Sequence, residues 1–384
     1  MSEAKVEGDI DAVLLFVDIV GSSKFSSVLG FQEYAKRLID FQRIFRTLGR
    51  RYFPEPEDDT IGYCSVTARG DEGTVFCIEK DFEKRAGLVF RAIEFVYHLK
   101  GIMYFGPGAS KGSTEKEDAP LRMEIGAGIH VGKVAYSTKI SENHRKKISQ
   151  IDGYSINKAK RIESSSRQGV YSRIVLSKEA AKLLDGEPII FAPFVASMKG
   201  IEDNAKLYEV QSGYLGNLEV IESDVWNELL IQGVRELAND PDKIDEEWLK
   251  ALIISVLDVK LKKAISGKLK KDYGEAQAKL TTHNINESDP ILLYKRAINY
   301  QQQGEYTQQL RYLKQLLEQH PDFLHAKIKL IEACWEIAKK AKERSEKTYA
   351  RDVAEELINK FSQFLTDEEI EKLSYIVKTA RKIT

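Results

Sequence analysis

Asp18 ends an unbroken apolar run in Phe16-Val17-Asp18-Ile19-Val20-Gly21-Ser22-Ser23, and small residues lead from it into a helical pattern. A carboxylate at the end of a buried strand can hold Mg²⁺, while the amides of Gly21, Ser22 and Ser23 receive phosphate oxygens. The same arrangement also describes an aspartate that caps a helix. Asp71 lies in Thr67-Ala68-Arg69-Gly70-Asp71, at the tip of an expected hairpin. Two aspartates at neighbouring strand ends suit two divalent cations, Mg²⁺ or Mn²⁺, bridging a triphosphate. Asn157 and Arg161 stand four apart in Gly153-Tyr154-Ser155-Ile156-Asn157-Lys158-Ala159-Lys160-Arg161, so a helix projects both from one face. An amide beside a guanidinium can orient a ribose and neutralise charge on a pentavalent phosphorus.

A sheet must bring these residues together. Ala12–Ile19 has the continuous apolar character of a strand buried on both faces. Phe31–Leu48 and Ala86–Leu99 have helical periodicity, and Tyr63–Ala68 and Thr74–Ile78 read as strands joined by a Gly-containing turn. Gly106–Pro120 is polar and Gly/Ser/Lys-rich, a loop. Arg122–Ala135 is expected to be a strand pair, Tyr154–Ser165 a helix, and Ala205–Val210 a strand after the turn Met198-Lys199-Gly200. The order β-α-β-β-α-β predicts an α/β (α+β), ferredoxin-like domain over residues 1–215, its sheet covered by helices on one face.

Composition shifts near Ser212–Leu218, beyond which Leu, Lys, Glu and Gln recur with a period of 3.6. Residues 216–384 are therefore expected to form an all-α domain. Pro290–Pro321 matches a tetratricopeptide-type (TPR-like) hairpin, with Ala297 at the small position, Tyr300 and Tyr306 at the aromatic positions and Gly304 at the turn. One repeat cannot bury its own face, so Trp226–Leu237, Glu247–Leu261 and Ala326–Ala341 are the expected partners. A generic helical bundle with one chance match is the alternative. Either way this half reads as an interaction module for a protein partner.

Taken in order, Asp18-Ile19, Gly70-Asp71, Gly128-Ile129-His130-Val131-Gly132 and Asn157…Arg161 resemble the motif series of class III nucleotidyl cyclases over Asp11–Val210. The resemblance implies conversion of a nucleoside triphosphate to its 3′,5′-cyclic monophosphate and pyrophosphate. It implies Asp18, Asp71 and the Ile19 carbonyl as ligands of two divalent cations, Asn157 as the ribose-orienting amide and Arg161 as the transition-state arginine. Lys199 aligns loosely with the triphosphate lysine. It also implies a head-to-tail homodimer with composite sites, because the metal aspartates of one chain face the Asn/Arg pair of the other.

At the base-reading positions this chain has Thr67 and Gln150, neither of the purine-type pairs, and Arg69 precedes Gly70 where purine cyclases carry an apolar residue. Strand alternation places 67, 69 and 71 on one face. A long donor at 69 would fill the space of a missing second ring and bond a pyrimidine carbonyl. In this the chain looks like the pyrimidine cyclases of bacterial antiphage (Pycsar) signalling, which make cyclic UMP or cyclic CMP; an all-donor arginine favours uracil. A solvated Arg69 in an ATP-using adenylyl cyclase is the alternative, and a non-catalytic scaffold is a second. Gly126 is a further departure, where many family members carry a phosphate-contacting arginine; Arg122, on the same strand face, is a candidate substitute. Arg69-Gly70-Asp71-Glu72-Gly73 only faintly echoes diguanylate cyclases, and Lys111-Gly112-Ser113-Thr114 has the wrong order for a P-loop.

The chain-wide balance sets limits on these readings. With 384 residues, 58 Lys plus Arg against 59 Asp plus Glu, and a net charge of −1, no whole-chain grip on nucleic acid or an anionic membrane is expected. Three scattered cysteines, Cys64, Cys77 and Cys334, fit a reducing, cytoplasmic compartment and leave no CxxC site. No apolar run reaches membrane-span length, and the N-terminus lacks a signal-peptide pattern.

Overall fold

The computed structural model describes residues 5–54, 63–106, 123–140, 146–184, 189–213, 215, 218, 225–239, 244, 246–263, 290–320, 323–341, 344–361 and 367–381. Its elements run β1 Lys5–Val20, α1 Ser22–Leu29, α2 Phe31–Tyr52, β2 Tyr63–Arg69, β3 Glu72–Ile78, α3 Phe82–Phe105, β4 Glu124–Ile140, β5 Lys146–Asp152 and α4 Tyr154–Ser165. There follow β6 Ile174–Ser177, α5 Lys178–Lys182, β7 Ile189–Met198, β8 Glu202–Gly213, α6 Val225–Asn239 and α7 Glu247–Lys263. The remaining helices are α8 Pro290–Gln302, α9 Tyr306–Gln319, α10 Leu324–Ala341, α11 Arg344–Phe361 and α12 Asp367–Arg381. The fold is thus a mixed α/β sheet domain with a helical C-terminal region. The Gly106–Pro120 loop, beyond Gly106, and Arg122 lie outside the described residues.

The strands order as β2-β3-β1-β4-β6-β8-β7, with β5 pairing β4. β1 is central, antiparallel to β3 on one side and to β4 on the other. Its residues Ala12–Ile19 are all buried, as a strand covered on both faces requires. Both faces do carry helices, which corrects the expected one-sided cover. Gly73, opposite Val17, would push a Cβ to within 2.3 Å of the α2 ring of Phe45. Gly128, opposite Phe16 on the other face, would push one to 2.2 Å from the Glu163 amide of α4. That close approach also explains why Arg122–Ala135 is not a strand pair. The glycines of β4 make room for α4 rather than for a turn, and one strand continues to Ile140.

The chain divides into two compact units. The first comprises residues 1–185, 195–210 and 215–280; the second 186–194, 211–214 and 281–384. This differs from a boundary between 215 and 216, because α6 and α7 pack on α3. A Cβ on Gly101 would meet Leu252 and Leu230, and His98 Nε2 shares a 2.6 Å hydrogen bond with Asn227 Oδ1. His98 Nδ1 pairs with the Tyr52 hydroxyl at 3.1 Å, so one buried polar chain ties α2, α3 and α6 together.

Within the second unit, α8 and α9 pack together as a helical hairpin. Gly304 turns it at φ 73°, Ala297 is buried, and Tyr300 stacks on Tyr312 with ring centroids 5.5 Å apart. Pro321 lies outside the described residues. Among the described residues no helix is long and apolar enough to cross a membrane.

Candidate active site

Asp18 sits two residues before the end of β1 and is buried. The neighbouring Ile19 amide donates to the carbonyl of Asp71 at 3.2 Å, which locks the hairpin tip onto the strand end. Gly70, at φ 63°, makes the two-residue turn that carries Asp71 there. Burial first, and the Asp71 charge second, raise the Asp18 carboxyl above its ordinary range, against the pull of Lys160 and Arg167. Two carboxylates are therefore held together against their own repulsion.

Cations of the same chain close around them. Arg167, in the helical turn Ser166–Gln168, donates from Nη2 to Asp18 Oδ2 at 3.1 Å. Lys160 of α4 pairs with Glu72, the residue opposite Asp18 in register, and at 3.0 Å with the buried Glu163. Burial works to lower the Lys160 ammonium, but Glu72 and Glu163 outweigh it and raise it. Glu163 is itself raised, by burial first and with Asp18 adding to it against Lys160. On the other side Tyr34 of α2 is hydrogen-bonded to Ser22, and burial, with Asp71 and Asp18 behind it, raises its phenol.

Gly21 adopts φ 70° and starts α1, whose first turn receives no side-chain cap. The first amides of α1 thus carry no side-chain cap that an anion would have to displace. Ser22 is half-buried and Ser23 exposed.

The expected base-reading residues divide. Thr67 is exposed, and its hydroxyl meets that of Thr74 at 2.6 Å. Arg69 pairs in register with Glu72, which pairs with Asp18, so Arg69, Glu72 and Asp18 form one cross-strand row on one face. Asp71 is not on that strand face: it occupies the turn, where alternation no longer applies. Gln150 pairs Ser137 in β5, and its side chain lies outside the described ones.

Asn157 and Arg161 are both exposed on α4, with Tyr154, 60% exposed, on the same face. No hydrogen bond or ion pair among the described residues joins either to Asp18 or Asp71. Lys199 is exposed in the β7–β8 turn, likewise apart from them. One chain therefore assembles the acidic half of the expected site and leaves the Asn/Arg half facing outward.

Sequence reasoning missed Arg167, Lys160, Glu163 and Tyr34. Lys160 and Glu163 carried a signal, being three apart on the helix already singled out. Arg167 and Tyr34 carried none. Cys64 and Cys77, expected as scattered thiols, stand directly opposite in the β2–β3 register and are disulfide-bonded. Among the described residues no three His, Cys, Asp or Glu side chains group to hold a metal ion. Cations at Asp18 and Asp71 would thus draw further oxygens from backbone, substrate and water.

No family model matches the sequence, and no curated protein does. Among solved structures, the chain is similar to the adenylyl cyclase CyaB from P. aeruginosa, at 18% identity and a TM-score of 0.39, over 53% of this chain and 94% of that one. It is similar to the guanylyl cyclase Cya2 at 18% identity and a TM-score of 0.39, over 54% and 94%. For the guanylate cyclase domain of RhGC from Catenaria anguillulae, in complex with GTP, the values are 17% and 0.37, over 54% and 99%. These are adenylyl and guanylyl cyclase domains matched over about half of this chain. Likeness at this level assigns no activity.

Proposed function

We propose that the chain is a nucleotidyl cyclase of the class III type, converting a nucleoside triphosphate to its 3′,5′-cyclic monophosphate and pyrophosphate. The observation that carries the reading is the Ile19–Asp71 backbone bond, which fixes Asp71 beside the buried Asp18 at the start of an uncapped helix. The donor set suits divalent cations: two acceptor-only carboxylates, one raised by burial and by the other's charge, plus the Ile19 carbonyl. Bound Mg²⁺ or Mn²⁺ would acidify the ribose 3′-hydroxyl and offset triphosphate charge.

The chain's own residues supply the rest. The first amides of α1, at Gly21, Ser22 and Ser23, receive phosphate oxygens, and Lys199 is a further candidate for them. Asn157 holds the ribose, and Arg161 stabilises charge as the 3′-oxygen bonds to the α-phosphorus and the bond to pyrophosphate breaks. Since Asn157 and Arg161 face outward, a second copy completes each site, giving a homodimer with two composite sites.

UTP is the preferred substrate in this reading, then CTP, with Arg69 reading the base from the row it shares with Asp18; Thr67 and Gln150 are the other candidates for reading the base. The product would act as a second messenger in bacterial antiphage defence, with the TPR-like helical region receiving a protein partner. The test is incubation with each of the four NTPs separately, with Mn²⁺, and chromatographic resolution of products. Cyclic UMP or cyclic CMP is expected, and Arg69→Ala should lower UTP turnover more than any ATP turnover. A product from ATP alone would sink the pyrimidine reading, and none from any NTP would leave a scaffold.

A further inference from the structure

Away from Asp18, the first unit holds a cleft of about 530 Å³ whose walls come from α3, the start of β4, the 169–173 loop and α7. That volume is in the range of small-molecule sites. Tyr104, Tyr171 and Trp248 give it three aromatic walls, and Lys100 and Arg173 two cations.

Lys100 is the unusual group. It is 4% exposed, donates to the carbonyls of Ser172 at 2.6 Å and Ile125 at 3.3 Å, and lies over the Trp248 ring at 4.5 Å. No carboxylate pairs with it among the described residues, although a buried ammonium ordinarily needs one. The acids of the cleft are engaged elsewhere: Glu124 with Arg173, and Glu246 with the Trp248 indole N–H. Burial lowers the Lys100 pKa to about 8, so the ammonium form still predominates at neutral pH.

The opposite wall is built to hold its shape. The buried Glu209 carboxylate accepts the amides of Val170, Tyr171 and Arg173 at 3.0, 2.9 and 2.8 Å. Arg173 is held at φ 57°, a left-handed conformation that an arginine adopts only under constraint. That constraint directs a second cation to the cleft.

We propose that this cleft binds a small aromatic carboxylate, its ring among Tyr104, Tyr171 and Trp248 and its carboxylate on Lys100 and Arg173. The anion supplies the charge that Lys100 lacks, and the ring takes the apolar walls. Arg167, which bonds Asp18, also accepts at its carbonyl from Arg173 Nη1 at 3.4 Å, so the cleft and Asp18 share one stretch of chain.

The experiment is calorimetric titration of the full chain with benzoate, benzyl alcohol, benzylamine and phenylalanine. Benzoate should bind saturably at one per chain. Benzyl alcohol and benzylamine should bind at least about 10-fold more weakly, as loss of a charge-assisted contact implies, and phenylalanine as weakly because its ammonium would stand against Lys100 and Arg173. Lys100→Met should abolish benzoate binding. Should that variant fail to fold, Tyr171→Ala, at the partly exposed rim, should weaken benzoate about 3- to 10-fold while melting as wild type does. No saturable benzoate binding, equal binding of the alcohol or of phenylalanine, or binding unchanged in Tyr171→Ala would each overturn the proposal.

Discussion

Arg167 donates from Nη2 to Oδ2 of Asp18 across 3.1 Å, although the two residues stand 149 positions apart. The arginine is 59% exposed and the aspartate 9%, so an exposed cation rests on a buried carboxylate. It occupies an oxygen that a metal ion would use.

Arg167→Ala should therefore tighten metal binding rather than abolish function. A pair this exposed is worth about 0.2–1 kcal/mol, so the Mn²⁺ concentration for half-maximal turnover should fall up to about 5-fold. The same substitution should leave the melting temperature nearly unchanged. A higher Mn²⁺ requirement would show that Arg167 organises the site instead of competing for it.

Composite sites make a separate prediction. Asp71→Ala and Arg161→Ala should each be inactive alone. After mixing and subunit exchange, half of the dimers would be mixed, each with one intact site, restoring about a quarter of wild-type activity. Failure to recover any activity, with exchange verified by mass spectrometry, would refute the two-chain arrangement.

His130 gives a stability prediction. Burial holds its pKa down to about 4, with Lys158 adding to the effect and Glu179 opposing it. Its Nδ1 meets Ser177 Oγ at 2.9 Å and lies 3.7 Å from Glu179 Oε2. The unfolded chain binds a proton near pH 6.5 that the folded chain refuses, so this contribution is full above that pH and is lost on acidification toward 4. Between pH 7 and pH 5, urea unfolding should lose about 2 kcal/mol more in wild type than in His130→Gln. Parallel pH profiles for the two proteins would reject the assignment.

Local patterns were legible wherever one element carried the whole signal. Tyr154–Ser165 is helical with the bounds its spacing predicts, and the hairpin placing Asp71 follows from Gly70. What stayed hidden depends on register or on distant packing. Cys64 and Cys77 become neighbours only through the β2–β3 pairing, and Asp71 left the strand face because the turn needs just two residues. The central part of α3 is buried all round, including Glu94, His98 and Lys100, since α6 and α7 cover the side that periodicity assigned to solvent. That covering is also why the composition shift near Ser212–Leu218 is not where the compact unit ends.

The central claim is metal-dependent cyclisation at Asp18 and Asp71. Its most direct measurement is cyclic nucleotide formed from UTP and Mn²⁺ by wild type and by Asp71→Ala, at matched folding by circular dichroism. The account predicts cyclic UMP from wild type and a loss on the order of 10²-fold or more in the variant, as removal of a charge-stabilising group implies. Cyclic UMP made equally well by Asp71→Ala would contradict it.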